Sequence, residues 1–286
     1  MVIVVTGAAG QLGQSLQHVA QKFTDIEWVF CDSATLDITD ASSTQELFLQ
    51  KKPNYCINAA AYTAVDKAES EPEKAYLINA MGPENLAKIC AEIGTILVHI
   101  STDFVFDGTQ TTPYAETAPT APLGVYGASK LAGELAIQQH GNAYYIIRTS
   151  WVYSPFGNNF MKTMLRLAAE RDSLSIVNDQ IGTPTNALDL AAVLIELIQK
   201  DSAMEVHPYG IYHYSNEGQC SWYDFAKAIF EKNSTAISVQ PITTDQFPTP
   251  AKRPAYSVMD KAKIKKNFNI AILDWKESLF SIESNS

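Results

Sequence analysis

The chain has 286 residues, 46% hydrophobic and 18% charged, a composition that predicts a folded globular protein with a substantial core. Its formal net charge of −10, from 21 basic and 31 acidic side chains, argues against general binding to nucleic acid or to an anionic membrane, although a helix end or one local cation still suffices for an anionic nucleotide. No apolar run approaches the roughly 20 residues of a membrane span, and the chain enters a strand-like run with no basic stretch or cleavage site, so a cytoplasmic protein without a signal peptide is expected.

Met1 to Thr6 is a short apolar, β-branched run, the pattern of a buried parallel strand. Gly7-Ala8-Ala9-Gly10-Gln11-Leu12-Gly13 follows, then a helical spacing of Leu12, Leu16, Val19 and Ala20. Strand, glycine turn and helix together make the context of a dinucleotide fingerprint. The spacing is Gly-x-x-Gly-x-x-Gly, and the physics is that of the standard motif: Gly7, Gly10 and Gly13 permit a tight turn and close approach of backbone to a pyrophosphate on the helix N-terminus.

Glu27 to Cys31 reads as a second strand, ending at Asp32. An acidic residue at that distance from the glycines bonds the ribose 2′-hydroxyl of NAD and repels the 2′-phosphate of NADP. No Arg or Lys occurs from Phe23 to Gln50 to receive that phosphate. NADH is therefore expected to be preferred over NADPH.

The alternation continues: Thr44 to Lys51 as a helix, Tyr55 to Asn58 a strand, Pro72 to Ile93 a long amphipathic helix, Thr95 to Ile100 a strand, Leu123 to Gln139 a helix and Tyr144 to Arg148 a strand. It predicts an α/β, doubly wound parallel sheet, the Rossmann fold. Asp107 to Pro122 has no periodicity and reads as a loop. Later come helices at Asn159 to Arg171 and Ala187 to Gln199, a strand at Gly210 to Tyr214, and a helix opened by Cys220-Ser221. Thr243 to Pro254 reads as a loop and Asp274 to Ile282 as a last helix. Residues 1–150 are expected to form the dinucleotide-binding domain, and 151–286 a smaller substrate-binding lobe interleaved with it.

Cys31, Cys56, Cys90 and Cys220 are scattered, and neither they nor His18, His99, His140, His207 and His213 show metal-ligand spacing. Buried thiols and no metal site are expected.

Tyr126-Gly127-Ala128-Ser129-Lys130 places a phenol and an ammonium on one helix face, with Ser101-Thr102-Asp103 upstream. An ammonium nearby lowers the pKa of a phenol. The pair can then give a proton to a carbonyl oxygen, with the Thr102 hydroxyl orienting that oxygen.

Taken with Asn58 to Glu69, Ser101 to Gly108, Tyr126 to Glu134, Arg148 to Tyr153, Asn178-Asp179-Gln180, Gly182 to Thr185 and Arg253-Pro254, these motifs resemble the extended short-chain dehydrogenase/reductase superfamily. Within it the chain is similar, over nearly its full length, to the dTDP-4-dehydrorhamnose reductase family. The resemblance implies NAD(P)H-dependent reduction of the C4 keto group of a dTDP-sugar, in nucleotide-sugar synthesis for cell-surface polysaccharide. Carried across, Tyr126 would donate the proton, Lys130 would lower its pKa and bond the nicotinamide ribose, and Thr102 would polarise the carbonyl. Gly10, Gln11 and Leu12 would lie on the pyrophosphate, Asp37 and Ile38 beside the adenine, and Ala61, Tyr62 and Thr63 beside the ribose and nicotinamide. Val65, Thr102, Asp103 and Trp151 would meet the sugar nucleotide, and Arg253 would put a cation where a diphosphate can meet it.

Two positions depart from the family pattern. Phe104 stands where a Tyr is common, and Ser15 where some members carry an acidic metal ligand. A metal-bridged dimer is not carried over, and monomer or homodimer remains open. The alternatives are a sugar-nucleotide epimerase or dehydratase of the same fold, and a non-catalytic regulator resembling the regulatory subunit of S-adenosylmethionine synthetase.

Overall fold

The apolar, β-branched runs build a parallel sheet in a computed structural model that describes residues 1–282; positions 283–286, the end of the expected second lobe, lie outside the described residues. The first half contains β1 (Val2–Thr6), α1 (Gln11–Ala20), β2 (Glu27–Cys31), α2 (Ala41–Lys51), β3 (Tyr55–Asn58), α3 (Val65–Ala68), α4 (Pro72–Tyr76), α5 (Gly82–Ile93), β4 (Ile96–Thr102), α6 (Val125–His140) and β5 (Tyr144–Thr149). The second half adds β6 (Val152–Tyr153), α7 (Phe160–Glu170), β7 (Ser173–Val177), β8 (Ile181–Gly182), β9 (Thr185–Asn186) and α8 (Ala187–Asp201). It continues with β10 (Gly210–His213), β11 (Cys220–Ser221), α9 (Trp222–Lys232), β12 (Ser238–Ile242), α10 (Ala262–Phe268) and α11 (Trp275–Ser281).

Six strands form the main sheet in the order β2-β1-β3-β4-β5-β10, and every pairing in it is parallel. The order reverses between β1 and β3. Chain exits there diverge and leave a crevice at the carboxyl ends, where ligands of open α/β sheets bind. Helices cover both faces. Leu16 of α1 and Leu194 and Ile198 of α8 pack on one side, and Phe48, Leu86, Cys90 and Ile137 on the other. Ile3, Val4 and Val5 of β1 are fully buried, each worth about 1.5–3 kcal/mol of transfer free energy. β10 comes from the second half and closes the sheet against β5. A separate core around Tyr153, Met164, Leu174, Phe225 and Leu279 holds α7, β7, α9 and α11 together.

The boundaries differ from the sequence reading where long-range or capping contacts intervene. The helix expected over 72–93 contains a π turn at Leu77–Met81. α2 begins at Ala41 because Asp40 caps it, its Oδ1 accepting from the Ser42 and Ser43 amides. Ser221, not Cys220, caps α9, in a capping box with Asp224. β7 and β12 pair in parallel across some 65 residues of chain, which no local pattern announces. All four cysteines are free and buried. Among the described residues no group of His, Cys, Asp or Glu could hold a metal ion, and no helix is long and apolar enough to cross a membrane.

Candidate active site

The glycine turn after β1 is closed on two sides and open on the third. Gly7 has φ +69, and a Cβ there would come within 2.5 Å of the Ala60 nitrogen, while one at Gly13 would come within 2.3 Å of the Gly7 oxygen. These two glycines let the turn pack against the exit of β3 and against α1. Gly10 is exposed, and a Cβ there would meet only the Gly7 oxygen, at 3.3 Å. It is the N-cap of α1, with no side-chain cap and no acidic residue in the first turn. The helix therefore turns its unsatisfied N–H groups outward, the arrangement that receives a phosphate. An open cradle at Gly10, on the reversal of the strand order, fits a dinucleotide pyrophosphate. Gln11 beside it accepts through Oε1 from Asn159 Nδ2 at 3.0 Å and Ser154 Oγ at 3.3 Å, tying the turn to the second half.

Tyr126 lies in the first turn of α6, whose N-cap is Gly124 with no side chain to offer. The cap comes from elsewhere: Glu69 Oε1 accepts from the Val125 amide at 2.8 Å. A Cβ at Gly127 would fall 2.1 Å from the Phe104 oxygen, so this glycine lets α6 close on the 3-10 turn Asp103–Val105 that follows β4. The closure brings Tyr126 against Thr102 and Asp103, with its ring edge-on to Phe104 at 5.5 Å and 75°. Thr102 Oγ1 donates to Asp103 Oδ1 at 3.1 Å, and Asp103 Oδ2 is buried without a partner. Burial raises the Asp103 carboxyl to about 6, against hydrogen bonds from Ser257 and Thr102.

The Tyr126 phenol is pushed up to about 12, first by burial and then by the negative charge of Asp103, with the Thr102 hydrogen bond opposing. Lys130 is not among the groups that move it. Lys130 Nζ is drawn beneath the site instead, donating to the Ile100 carbonyl at 2.6 Å and lying 3.4 Å from His99 Nε2. Burial brings Lys130 down to about 8, opposed by the charge of Glu134. Glu134 is in turn held by Arg148, at 2.9 Å to Nε and 2.6 Å to Nη2, in a buried ion pair.

The segment after β3 is pinned by a residue the motif reading missed. Asn79, in the π turn, accepts from the Tyr62 amide at 2.8 Å and donates to the Tyr62 carbonyl at 3.0 Å and to Ser129 Oγ at 3.0 Å. The signal available was an Asn inside the apolar helical run Leu77-Ile78-Asn79-Ala80-Met81, and π turns recur at functional sites. The role of Glu69 was also missed; it ends the Asn58 to Glu69 stretch, but nothing in the sequence says what it caps. Along this segment Ala61 and Val65 are half-buried, Tyr62 is buried and Thr63 is exposed. Ile38 is buried, with Gly82 so close that a Cβ there would fall 2.5 Å from Ile38 Cδ1. Asp37 is exposed and accepts from the Thr39 amide at 2.9 Å. Asp32 Oδ1 accepts from the Ala34 and Thr35 amides and the Thr35 hydroxyl, at 2.9 to 3.0 Å. Those bonds hold its carboxyl below the usual range and occupy one oxygen of the two.

Thr102 is in register with Thr149 of β5, so Trp151 follows the strand beside the site. Its φ is +46, a strained conformation for a bulky residue. The indole stacks on Trp222 at 3.6 Å and 11°, and a Cβ at Gly182 would lie 2.6 Å from it. Arg253 is engaged by Asp66 in a two-point pair, at 3.0 and 2.7 Å, which ties α3 to the loop before α10.

The RmlD substrate binding domain model matches residues 1–285. A dTDP-4-dehydrorhamnose reductase of Aggregatibacter actinomycetemcomitans is 43% identical, over 99% of this chain and 98% of its own. Crystal structures of dTDP-4-dehydrorhamnose reductases superpose closely. That from Clostridium acetobutylicum has a TM-score of 0.93 at 44% identity, covering 98% of this chain and 97% of its own. That from Bacillus anthracis, in complex with NADP, has a TM-score of 0.91 at 42% identity, covering 97% and 96%. A six-stranded parallel sheet with an open glycine cradle and a Tyr126–Thr102 pair at its carboxyl end, matched over the whole length, makes this chain a member of the dTDP-4-dehydrorhamnose reductase family of the extended short-chain dehydrogenase/reductases.

Proposed function

We propose that the chain reduces the C4 keto group of dTDP-4-dehydro-L-rhamnose to give dTDP-L-rhamnose, using a nicotinamide dinucleotide as reductant, in nucleotide-sugar synthesis. The observation that carries the reading is the meeting of Tyr126 and Thr102 beside the open glycine cradle, in a chain of this reductase family. When bound, the reduced nicotinamide supplies the hydride.

The rest falls to the protein's own groups. The Tyr126 phenol carries its proton at neutral pH, so it is available to donate in the reductive direction. Tyr126 gives its proton to the C4 oxygen as negative charge grows there, and the Thr102 hydroxyl holds that oxygen. Lys130, buried below, serves the ribose side. Gly7, Gly10, Gln11, Leu12 and Gly13 receive the pyrophosphate, Asp37 and Ile38 border the adenine, and Ala61, Tyr62 and Thr63 the ribose and nicotinamide. Val65, Asp103 and Trp151 face the sugar nucleotide. The free Oδ2 of Asp32 is available to a ribose 2′-hydroxyl, and supports a preference for NADH over NADPH.

Residues 1–150 act as the dinucleotide-binding domain and 151–286 as the substrate lobe. The insertion of β10 into the main sheet supports their interleaving. The protein works in the cytoplasm, as a monomer or homodimer. The test is oxidation of NADH or NADPH on addition of freshly generated dTDP-4-dehydro-L-rhamnose, with dTDP-L-rhamnose identified as product. Absence of oxidation by the folded protein overturns the reading.

A further inference from the structure

Beneath the reacting groups a chain of buried polar contacts runs from β1 across β3 and β4 to α6, and its donors and acceptors can be assigned. The Ala60 amide can only donate, and it points at Asn58 Oδ1 from 3.2 Å. Thr6 Oγ1 lies on the same oxygen at 2.7 Å. Asn58 therefore turns its Nδ2, a donor, toward His99 Nδ1 at 2.9 Å. A ring nitrogen that accepts carries no proton, so the neutral imidazole has its proton on Nε2. His99 is fully buried, and burial, then the neighbouring Lys130 charge, holds it well below the usual histidine range, which keeps it neutral. Its Nε2 faces Lys130 Nζ at 3.4 Å.

We propose that His99 is a positioning residue that sets the proton state of Lys130 by presenting it an N–H rather than a lone pair. An ammonium has three N–H groups and no acceptor, and so opposes another N–H. An amine has a lone pair that accepts it, while still donating to the Ile100 carbonyl. The other groups around Lys130 do not cancel this. Glu134 on the same helix favours the ammonium, but its oxygens are shared with Arg148 of β5 and with Ser101 of β4. Asp103 and Tyr126 act on each other above. Burial already brings Lys130 down to about 8 and the wiring acts in the same direction, so Lys130 is set to take up a proton when a ligand brings negative charge.

The inference deepens the reading of Lys130 as part of the reductase site, and its test needs no turnover. In cofactor-free protein with 15N-labelled histidine, the nitrogen shifts of His99 are expected to show an unprotonated Nδ1 and a protonated Nε2. Titration of 13C-labelled lysine, with Lys130 assigned through Lys130→Met, is expected to give a midpoint well below those of surface lysines. In His99→Phe that midpoint is expected to rise by about one unit, the worth of one hydrogen bond to the neutral form. A His99 that instead offered a lone pair would make the midpoint fall in this variant. A protonated Nδ1 in the unmodified protein, or a midpoint in folded His99→Phe that falls or stays, overturns the proposal. If the variant does not fold, the tautomer alone decides.

Discussion

One hydrogen bond joins Glu69 to Val125, 2.8 Å from the Val125 amide to Glu69 Oε1, and through it a residue at the end of α3 caps the helix that carries Tyr126. α6 cannot cap itself, because Gly124 has no side chain and a Cβ there would lie 2.5 Å from the same oxygen. Glu69→Ala is expected to lose about 1 kcal/mol of stability, the usual worth of a cap, and to slow turnover because Tyr126 sits in the freed turn. Glu69→Gln keeps an acceptor and should recover most of both. Thermal unfolding and kcat check this; an Ala variant as stable and as fast as the parent would remove the cap from the account.

Tyr126→Phe is expected to lower kcat by about 10²–10⁴, the usual contribution of general acid catalysis, while cofactor affinity largely survives. Turnover near that of the parent would rule out the phenol as proton donor.

Asp103 predicts a pH dependence. Its carboxyl holds a proton up to about 6 when folded, against about 3.9 in an unfolded chain. The folded state therefore binds the proton more tightly. Stability tied to this group is present below about pH 4 and is lost as pH rises through about 6, by up to ~3 kcal/mol. Denaturant unfolding at a series of pH values is expected to show this slope in the parent and its absence in Asp103→Asn. Equal slopes in the two proteins would contradict it.

Trp151→Ala is expected to raise KM for the sugar nucleotide more than it changes the cofactor dissociation constant. The indole follows the strand beside Thr102 and is held by Trp222. A variant that only melts earlier, with unchanged kinetics, would assign Trp151 to the core.

For the cofactor, kcat/KM is expected to favour NADH over NADPH, and Asp32→Ala to reduce or reverse that preference. The motive is the unused oxygen of a carboxylate whose other oxygen is fixed by the turn at 34–35. A parent enzyme that favours NADPH would mean that the turn hydrogen bonds hold Asp32 away from the ribose.

The sheet was legible in the sequence because its strands are local apolar runs punctuated by glycine turns, and the Gly7–Gly13 and Tyr126–Lys130 spacings are local too. What escaped depends on distance along the chain. That the Lys130 ammonium also donates to the Ile100 carbonyl of β4, 30 residues away, is not in the helix spacing. Glu69 caps a helix 56 residues away, and Asn79 pins a backbone 17 residues away. Neither partner is named by its neighbours. Trp151 lies just beyond β5, and its left-handed backbone is not announced by its flanking residues.

The π turn at Leu77–Met81 holds one residue more than an ordinary helix would over that rise. Deleting any one of the five would restore a regular helix and rotate α4 by about 100° against α5. The Asn79 amide would then swing off Tyr62, and the backbone beside the crevice would lose its tie to α6. The segment is thus strict about its count of residues and about Asn79, and lenient only at its exposed positions. Leu77 and Met81 are 41% and 50% exposed and free to be exchanged, whereas insertions and deletions are barred, so descendants of this chain can drift here in spelling but not in length.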